Sequence, residues 1–204
     1  MAIDPSLTCS GWALFNLAYG ELLPDHLLGV GKIKALPAKY PMARRLSVLQ
    51  TQIADLYQQL SLGSYDIIIV EAPTTMRDPR AALAVEQVRC LFEAEARSLS
   101  VVVPGRINPR SVQKDVLGMI GKQPPRALVK ESARVTVRNL FGNQLKRIGF
   151  EESLDKNQDI VDALLVGVGA RAKIISALQA GIAIEDIFEQ KKRTARTVYY
   201  KQAF

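Results

Sequence analysis

Apolar residues in the first part of the chain form three short runs separated by turn-forming residues. The runs cover residues 1–4, 11–17 and 27–35, with prolines, glycines and polar residues between them. Runs of this length bounded by turn residues are typical of strands, and short connections join antiparallel neighbours. The pattern predicts three consecutive antiparallel strands.

The next part of the chain alternates between helical and strand-like patterns. Residues 42–60 repeat apolar side chains every three or four positions, which predicts a helix. Residues 66–71 form a continuous apolar run that ends in Glu71, as expected for a buried central strand. A second helix is predicted over residues 80–99 and a further strand over residues 100–104. This alternation is typical of parallel strands connected by helices.

The second half of the chain is predominantly helical. Asn108 followed by Pro109 is a typical helix start. Helices are predicted over residues 110–118, 127–141 and 159–180, with a proline-containing break at 121–126 and a polar loop at 151–158.

The order of these elements predicts an α/β fold. Its mixed sheet would have an antiparallel three-strand edge, with helices on both faces. Residues 1–183 form the predicted domain, and residues 184–204 form a basic C-terminal tail.

Positive charge is concentrated in two segments of a chain of 204 residues with a formal net charge of +7. Residues 105–147 carry ten Lys or Arg and two Asp or Glu, and residues 190–204 carry five basic residues and no acid. The remainder has twelve basic and eighteen acidic residues. A local basic surface on an acidic body is expected of a protein that binds a phosphate backbone, although a solvated surface without a partner could have the same composition.

Composition disfavours several other classes of protein. No apolar stretch approaches the roughly 20 residues that cross a bilayer, and the N-terminus lacks the pattern of a signal peptide. Cys9 and Cys90 match neither a zinc-ligand spacing nor a disulfide framework. The lone His26 lies among apolar and acidic residues and is not the expected catalytic group. We expect a cytoplasmic protein without a membrane partner.

Four carboxylates occupy positions that favour a common site. Asp4 ends the first predicted strand, Glu71 ends the apolar run, and Asp159 and Asp162 share one face of the first turn of the last long helix. Carboxylates that converge repel one another unless a cation lies between them, and hard oxygen ligands suit Mg²⁺ or Mn²⁺. Three of these acids also have a structural alternative. Asp162 could stabilise the helix terminus, Asp4 could cap a turn, and Glu71 could pair with Arg77 or Arg80.

Five segments of the chain carry a more specific pattern. They are Ala-Ile-Asp-Pro-Ser-Leu-Thr-Cys-Ser-Gly-Trp-Ala at 2–13, Ile-Val-Glu at 69–71, Val-Glu-Gln-Val-Arg at 85–89, Pro-Arg-Ser-Val-Gln-Lys-Asp-Val-Leu-Gly at 109–118, and Gln-Asp-Ile-Val-Asp-Ala-Leu at 158–164. Together, and in this order, they resemble the RuvC family of Holliday junction resolvases, whose fold is RNase H-like. The family's glycine after Asp-Pro is Ser6 here, and Gln113 rather than Lys114 takes the place of its first lysine.

The resemblance implies a metal-dependent endonuclease that cuts four-way junction DNA. It implies that Asp4, Glu71, Asp159 and Asp162 hold the catalytic Mg²⁺ or Mn²⁺, two ions per site, and that Lys130 faces the scissile region. It also implies a homodimer formed through the helix at residues 80–99. Such a protein would act in a bacterial cytoplasm, as a host or a phage protein.

The basic segments supply the expected DNA contacts. In the predicted helix at 127–141, Lys130, Arg134 and Arg138 recur every four residues and so share one face. The full predicted set is Arg110, Gln113, Lys114, Lys122, Arg126, Lys130, Arg134, Arg138, Lys191, Lys192 and Arg193. Two rival functions remain open: another RNase H-fold nuclease, acting on branched DNA or an RNA–DNA hybrid, and a junction-binding protein without activity.

Overall fold

A five-stranded mixed sheet is at the centre of the structure, a computed structural model that describes residues 1–17, 23–73, 78–122 and 124–188. The strands are β1 (Ala2–Asp4), β2 (Cys9–Phe15), β3 (Leu27–Lys34), β4 (Ile69–Glu71) and β5 (Arg106–Ile107), in the order β3-β2-β1-β4-β5. β1 is antiparallel to β2 and parallel to β4, β2 is antiparallel to β3, and β4 is parallel to β5. The predicted antiparallel edge and parallel core are both confirmed.

Helices cover both faces of this sheet. They are α1 (Met42–Gln59), α2 (Pro79–Ser98), α3 (Pro109–Leu117), α4 (Arg126–Arg147), α5 (Gln158–Ala180) and α6 (Ile184–Phe188), with short 3-10 helices at Leu23–His26 and Leu154–Lys156. One apolar core lies between the sheet and α1 and α2, and the other lies between the sheet and α3, α4 and α5. No helix among the described residues is long and apolar enough to cross a membrane.

The alternation of side chains along the central strands decides which face each acid occupies. Ala2 and Ile69 belong to the core on the α5 side, and Ile3 and Val70 belong to the core on the α1 and α2 side. Successive residues of a strand point to opposite faces, so Asp4 shares the face of Ala2 and Glu71 shares the face of Ile69. Both acids therefore face the layer that contains α5.

Two glycines allow α5 to lie unusually close to the sheet. A Cβ atom on Gly11 would come 1.9 Å from the carbonyl oxygen of Asp159, and one on Gly167 would come 2.2 Å from the Phe15 ring. Gly11 is also the residue that pairs with Asp4 across β1 and β2. The first turn of α5 therefore contacts Gly11, which is the neighbour of Asp4 in the sheet.

Some boundaries differ from the sequence predictions. The fifth strand forms at Arg106–Ile107 rather than at 100–104, where Val102 makes only an isolated bridge with Ile67. The apolar run there is followed by Pro104, which cannot donate a ladder hydrogen bond, so regular pairing resumes after Gly105. The helix predicted to end at 141 continues to Arg147 as α4, because Leu145 packs into the core.

The C-terminal part of the described chain is more ordered than a tail. The first residues of the predicted tail form α6, and its Phe188 is buried so close to Gly105 that a Cβ on Gly105 would lie 2.8 Å from the Phe188 Cβ. The polar loop at 151–158 contains the 3-10 helix Leu154–Lys156 with Leu154 buried. The basic residues of the predicted tail lie at 190–204, outside the described residues, so the boundary between residues 183 and 184 stays a prediction.

Candidate active site

Asp4 and Glu71 lie side by side at the carboxyl ends of the two central parallel strands. The register pairs Ile3 with Val70, so the next residue of each strand is an acid on the same face. Their side chains share a hydrogen bond, and Asp4 is the more strongly protonated partner. Two adjacent buried carboxyl groups can form such a bond only if one of them carries a proton.

The first turn of α5 brings the other two acids to this pair. Asp162 and Asp159 lie close enough for their negative charges to act on Asp4, and Asp162 also acts on Glu71. This proximity follows from the contact between Gly11 and the Asp159 backbone. The structure thus gathers the four acids that the sequence singled out at one edge of the sheet.

Burial and mutual repulsion make three of these acids unusually hard to ionise. Burial, followed by the charges of Glu71 and Asp162, raises the pKa of Asp4 well above its usual range. Burial and the charge of Asp162 raise the pKa of Glu71 to about 7. Burial also raises the pKa of Asp162, although the Gln158 hydrogen bond and the charges of Lys130 and Arg126 oppose this rise.

The outer two acids point toward protein donors rather than toward each other. The Cys9 thiol lies within hydrogen-bonding distance of Asp159, and burial together with this carboxylate raises the pKa of Cys9 to about 11. The Gln158 side-chain amide donates to Asp162 Oδ1 at 2.8 Å. In this arrangement no three Asp, Glu, His or Cys side chains of the described residues form a ready-made metal site.

The donor chemistry nevertheless fits a hard divalent cation. All four candidate ligands are carboxylates. The proton shared by Asp4 and Glu71 neutralises one of their negative charges, which a bound cation would balance in its place. A metal held by all four acids would compete with Cys9 for Asp159 and with Gln158 for Asp162.

The positive charges of Lys130 and Arg126, in the first turns of α4, act on the Asp162 carboxylate. The predicted place of Lys130 beside the acids therefore agrees with the structure, while its catalytic role stays a prediction. Arg126 is exposed and lies on the same side of the cluster.

The remaining predicted DNA-binding residues differ in how free they are. Arg110, Lys114, Lys122 and Arg138 are exposed, although Arg138 pairs with Asp155 at 3.5 Å, and Gln113 is half-buried. Arg134 is instead bonded within the protein, to Glu131 at 2.5 Å, to Gln158 at 3.3 Å and to Asp155 at 3.4 Å. It is therefore more an anchor between α4 and the start of α5 than a free phosphate ligand. Lys191, Lys192, Arg193 and Arg77 lie outside the described residues.

Two residues beside the acids were missed from the sequence. Lys32 on β3 donates to the buried Asn157, which immediately precedes α5, and pairs with Glu152 at 3.4 Å. Arg89 on α2 donates from Nε to the Glu71 carbonyl at 2.7 Å, and its positive charge also acts on the Glu71 carboxylate. The available signal for Arg89 was its position between Val88 and Phe92, two apolar residues of the buried side of α2.

Solved structures of RuvC from Thermus thermophilus are similar to this chain. One has a TM-score of 0.63 at 18% identity and covers 89% of this chain and 96% of its own. A second, RuvC in complex with Holliday junction substrate, has a TM-score of 0.60 at 17% identity and covers 88% of this chain and 94% of its own. No protein-family model and no curated protein sequence matches the chain. The chain therefore has the RNase H-like α/β fold of these RuvC structures.

Proposed function

We propose that the chain is a metal-dependent endonuclease that resolves four-way DNA junctions. The observation that carries this proposal is the meeting of four carboxylates, three with raised pKa, at the ends of β1 and β4 under the first turn of α5. A similar structure, RuvC from Thermus thermophilus, was solved in complex with Holliday junction substrate. Acids in this number that are at least half-buried disfavour a purely structural role, because each would destabilise the fold unless balanced.

The four acids would hold two Mg²⁺ or Mn²⁺ ions. When bound, such ions activate a water and balance charge on the phosphate being cut. Asp4 lies on the central strand and has the other three acids as neighbours, so it is the candidate ligand shared by both ions. Glu71 and Asp159 would each complete one of the two sites, and Asp162 would complete the cluster.

Lys130 would contact the phosphate that is cut. Its charge already acts on Asp162, so a DNA strand placed over the acids would pass beside its ammonium group. A positive charge held there stabilises the additional negative charge of the transition state. The exposed cations Arg110, Lys114, Lys122, Arg126 and Arg138 would contact the backbone further away, together with Lys191, Lys192 and Arg193.

A homodimer would match the two-fold symmetry of a four-way junction. The α2 helix is the candidate interface, although two of its apolar residues, Phe92 and Ala96, are buried in the core of the protein itself. The surface left for a partner contains Leu83, which is 62% exposed, with the half-buried Val85 and Leu91.

We propose that this protein acts in a bacterial cytoplasm, on host or phage DNA.

Cleavage of defined substrates tests the proposed function. With Mg²⁺, the wild-type chain is expected to cut synthetic four-way junctions in preference to linear duplex or RNA–DNA hybrid. Asp4→Asn, Glu71→Gln, Asp159→Asn and Asp162→Asn should each slow cleavage by more than about a hundredfold, since even residues behind a metal ligand contribute 10–100-fold. Junction binding should change little, because backbone contacts provide the affinity.

The exposed Asp55 on α1 offers the matched control, and Asp55→Asn should cut at the wild-type rate. Preferential cleavage of the RNA–DNA hybrid would instead indicate another RNase H-fold nuclease. Tight junction binding without cleavage at any metal concentration would indicate an inactive junction-binding protein.

Replacement of Lys130 should separate catalysis from binding. Lys130→Ala is expected to slow cleavage of the bound junction by about a hundredfold, because it removes a charge near the reacting phosphate. Junction affinity should fall only a few-fold. Lys146→Ala, which removes an exposed lysine from the other end of the same helix, should leave the cleavage rate unchanged. A Lys130→Ala variant that cuts at the wild-type rate would remove this residue from the site.

The raised pKa values predict an unusual pH dependence of stability without metal. Because folding raises the pKa of Asp4, Glu71 and Asp162, the folded state binds protons more tightly than the unfolded state, and stability falls as the pH rises through about 7. In EDTA, the melting temperature should therefore increase by several degrees between pH 8 and pH 6. Mg²⁺ at pH 8 should raise it as well, and Asp4→Asn should flatten the dependence. A melting temperature that falls on acidification over this range would contradict the assignment.

The exposed apolar residue Leu83 of α2 allows a test of dimerisation. Wild-type protein at micromolar concentration should scatter light with the mass of a dimer, and Leu83→Glu should convert it to a monomer, since a charge buried in an interface without a partner is costly. Leu178→Glu, at an exposed position near the end of α5, provides the control and should remain dimeric. A monomeric wild type with junction bound would exclude the symmetric arrangement.

A further inference from the structure

The hydrogen-bond ladder between β1 and β4 stops at the two acids. The Ile69 amide donates to the Met1 carbonyl at 3.0 Å, and the pairing ends with Ile3 opposite Val70. Every second residue of a strand directs its N–H and C=O groups toward the same neighbouring strand. The backbone of Ile69 faces β1, and so the carbonyl of Glu71, two residues later, faces β1 as well. The next donor to that carbonyl would be residue 5, which is Pro5 and has no N–H group. The strand that carries Glu71 thus lacks its last ladder bond to β1.

Arg89 supplies a donor to that carbonyl. Its side chain extends from α2 and is almost fully buried, and Nε donates to the Glu71 oxygen at 2.7 Å. A hydrogen bond from a charged donor is stronger than the backbone bond that the proline prevents. The end of β4 is therefore held from the α2 side of the sheet, behind the face on which the Glu71 carboxylate lies.

Arg89 is itself part of a network of buried and partly exposed charges. Its Nη1 lies 2.5 Å from Glu86, and the other oxygen of Glu86 accepts from Arg106 at 2.7 Å. Arg106, on β5, also donates to the buried Glu93 at 2.5 and 3.1 Å. Two arginines and two glutamates thus connect α2 to the ends of β4 and β5. Because Arg89 is buried and bonded to both the Glu71 carbonyl and Glu86, it has little freedom to release the carbonyl.

We propose that Arg89 is a positioning residue for Glu71. It replaces the hydrogen bond that Pro5 cannot make and so holds the Glu71 carboxylate beside Asp4 in the orientation needed to bind a metal. Arg89 acts through the backbone and does not touch the metal or the substrate. This inference rests on the proposed function, because it assigns Glu71 to the metal site.

The network offers a matched pair of variants that separates positioning from general stability. Arg89→Met removes the donor to Glu71, whereas Arg106→Met removes an arginine of the same network that has no bond to Glu71. Each variant leaves Glu86 with one remaining arginine, so both should lower the melting temperature. Mn²⁺ affinity is measured on the full chain by electron paramagnetic resonance of the free ion, and cleavage of a four-way junction is measured in parallel.

Arg89→Met is expected to weaken Mn²⁺ binding by about tenfold or more, as residues behind metal ligands commonly do. Its cleavage rate should recover in part at high Mn²⁺ concentration, while junction affinity stays unchanged. Arg106→Met should bind Mn²⁺ and cut the junction as the wild type does. If Arg89→Met does not fold, Arg89→Lys keeps the charge but shifts the donor, and it should weaken Mn²⁺ binding in the same direction.

Equal Mn²⁺ affinities of folded Arg89 and Arg106 variants would overturn the positioning role alone, since the wild type would still bind metal and cut. A wild-type chain that neither binds Mn²⁺ nor cuts any junction would overturn the proposed function, and this inference with it. The two failures are therefore distinguishable from the wild-type measurement.

Discussion

Repulsion among buried carboxylates is the constraint on which the rest of the site depends. The four acids would separate if the chain were free to move, because their mutual repulsion adds to the penalty of burial that Asp4, Glu71 and Asp162 carry. The structure relieves part of this by a proton shared between Asp4 and Glu71 and by hydrogen bonds from Gln158 and Cys9. The cluster persists because the elements that carry the acids are fixed by packing elsewhere.

The packing that fixes them is the close contact of α5 with the sheet. Gly11 allows the first turn of α5 to contact β2, and Gly167 admits the Phe15 ring two helical turns further along. Phe15 in turn packs edge-on against Phe141 of α4, with 5.9 Å between the ring centroids. The position of Asp159 and Asp162 is thus determined by apolar contacts along the whole helix. Those contacts provide the favourable energy that offsets the unfavourable energy of the charges.

The sequence was sufficient to predict the fold class and the proximity of the four acids, while their role as metal ligands stays a prediction. Parallel strands place their carboxyl ends at one edge of a sheet, and a spacing of three residues places Asp159 and Asp162 on one helix face, so their convergence follows from local geometry. The resemblance to RuvC then reinforced a grouping that the pattern already favoured. What remained hidden were contacts made by charged residues inside the protein.

Those hidden contacts have a common physical reason. Periodicity assigns charged residues to the surface, because burial of a charge is costly unless partners are present, and partners distant in sequence cannot be read from it. The spacing of Arg134 predicts an exposed cation on one face of its helix, whereas in the structure Asp155 and Gln158 bind its side chain. The fifth strand was displaced for a related reason, since an apolar run predicts burial but does not determine which residues obtain ladder partners.

The arrangement of positive charge around the site shows how a negative cluster can be stabilised without being neutralised. Arg89 donates to the carbonyl of Glu71 rather than to its carboxylate, and its charge is matched by Glu86. An arginine bonded to the carboxylate itself would compete with a metal for the same oxygens. Lys130 and Arg126 act from the opposite side, where their charges reach Asp162 but leave the pKa of that acid raised. Arg89 therefore holds the backbone of Glu71 and leaves its carboxylate to Asp4, while Lys130 and Arg126 act on Asp162 through their charge.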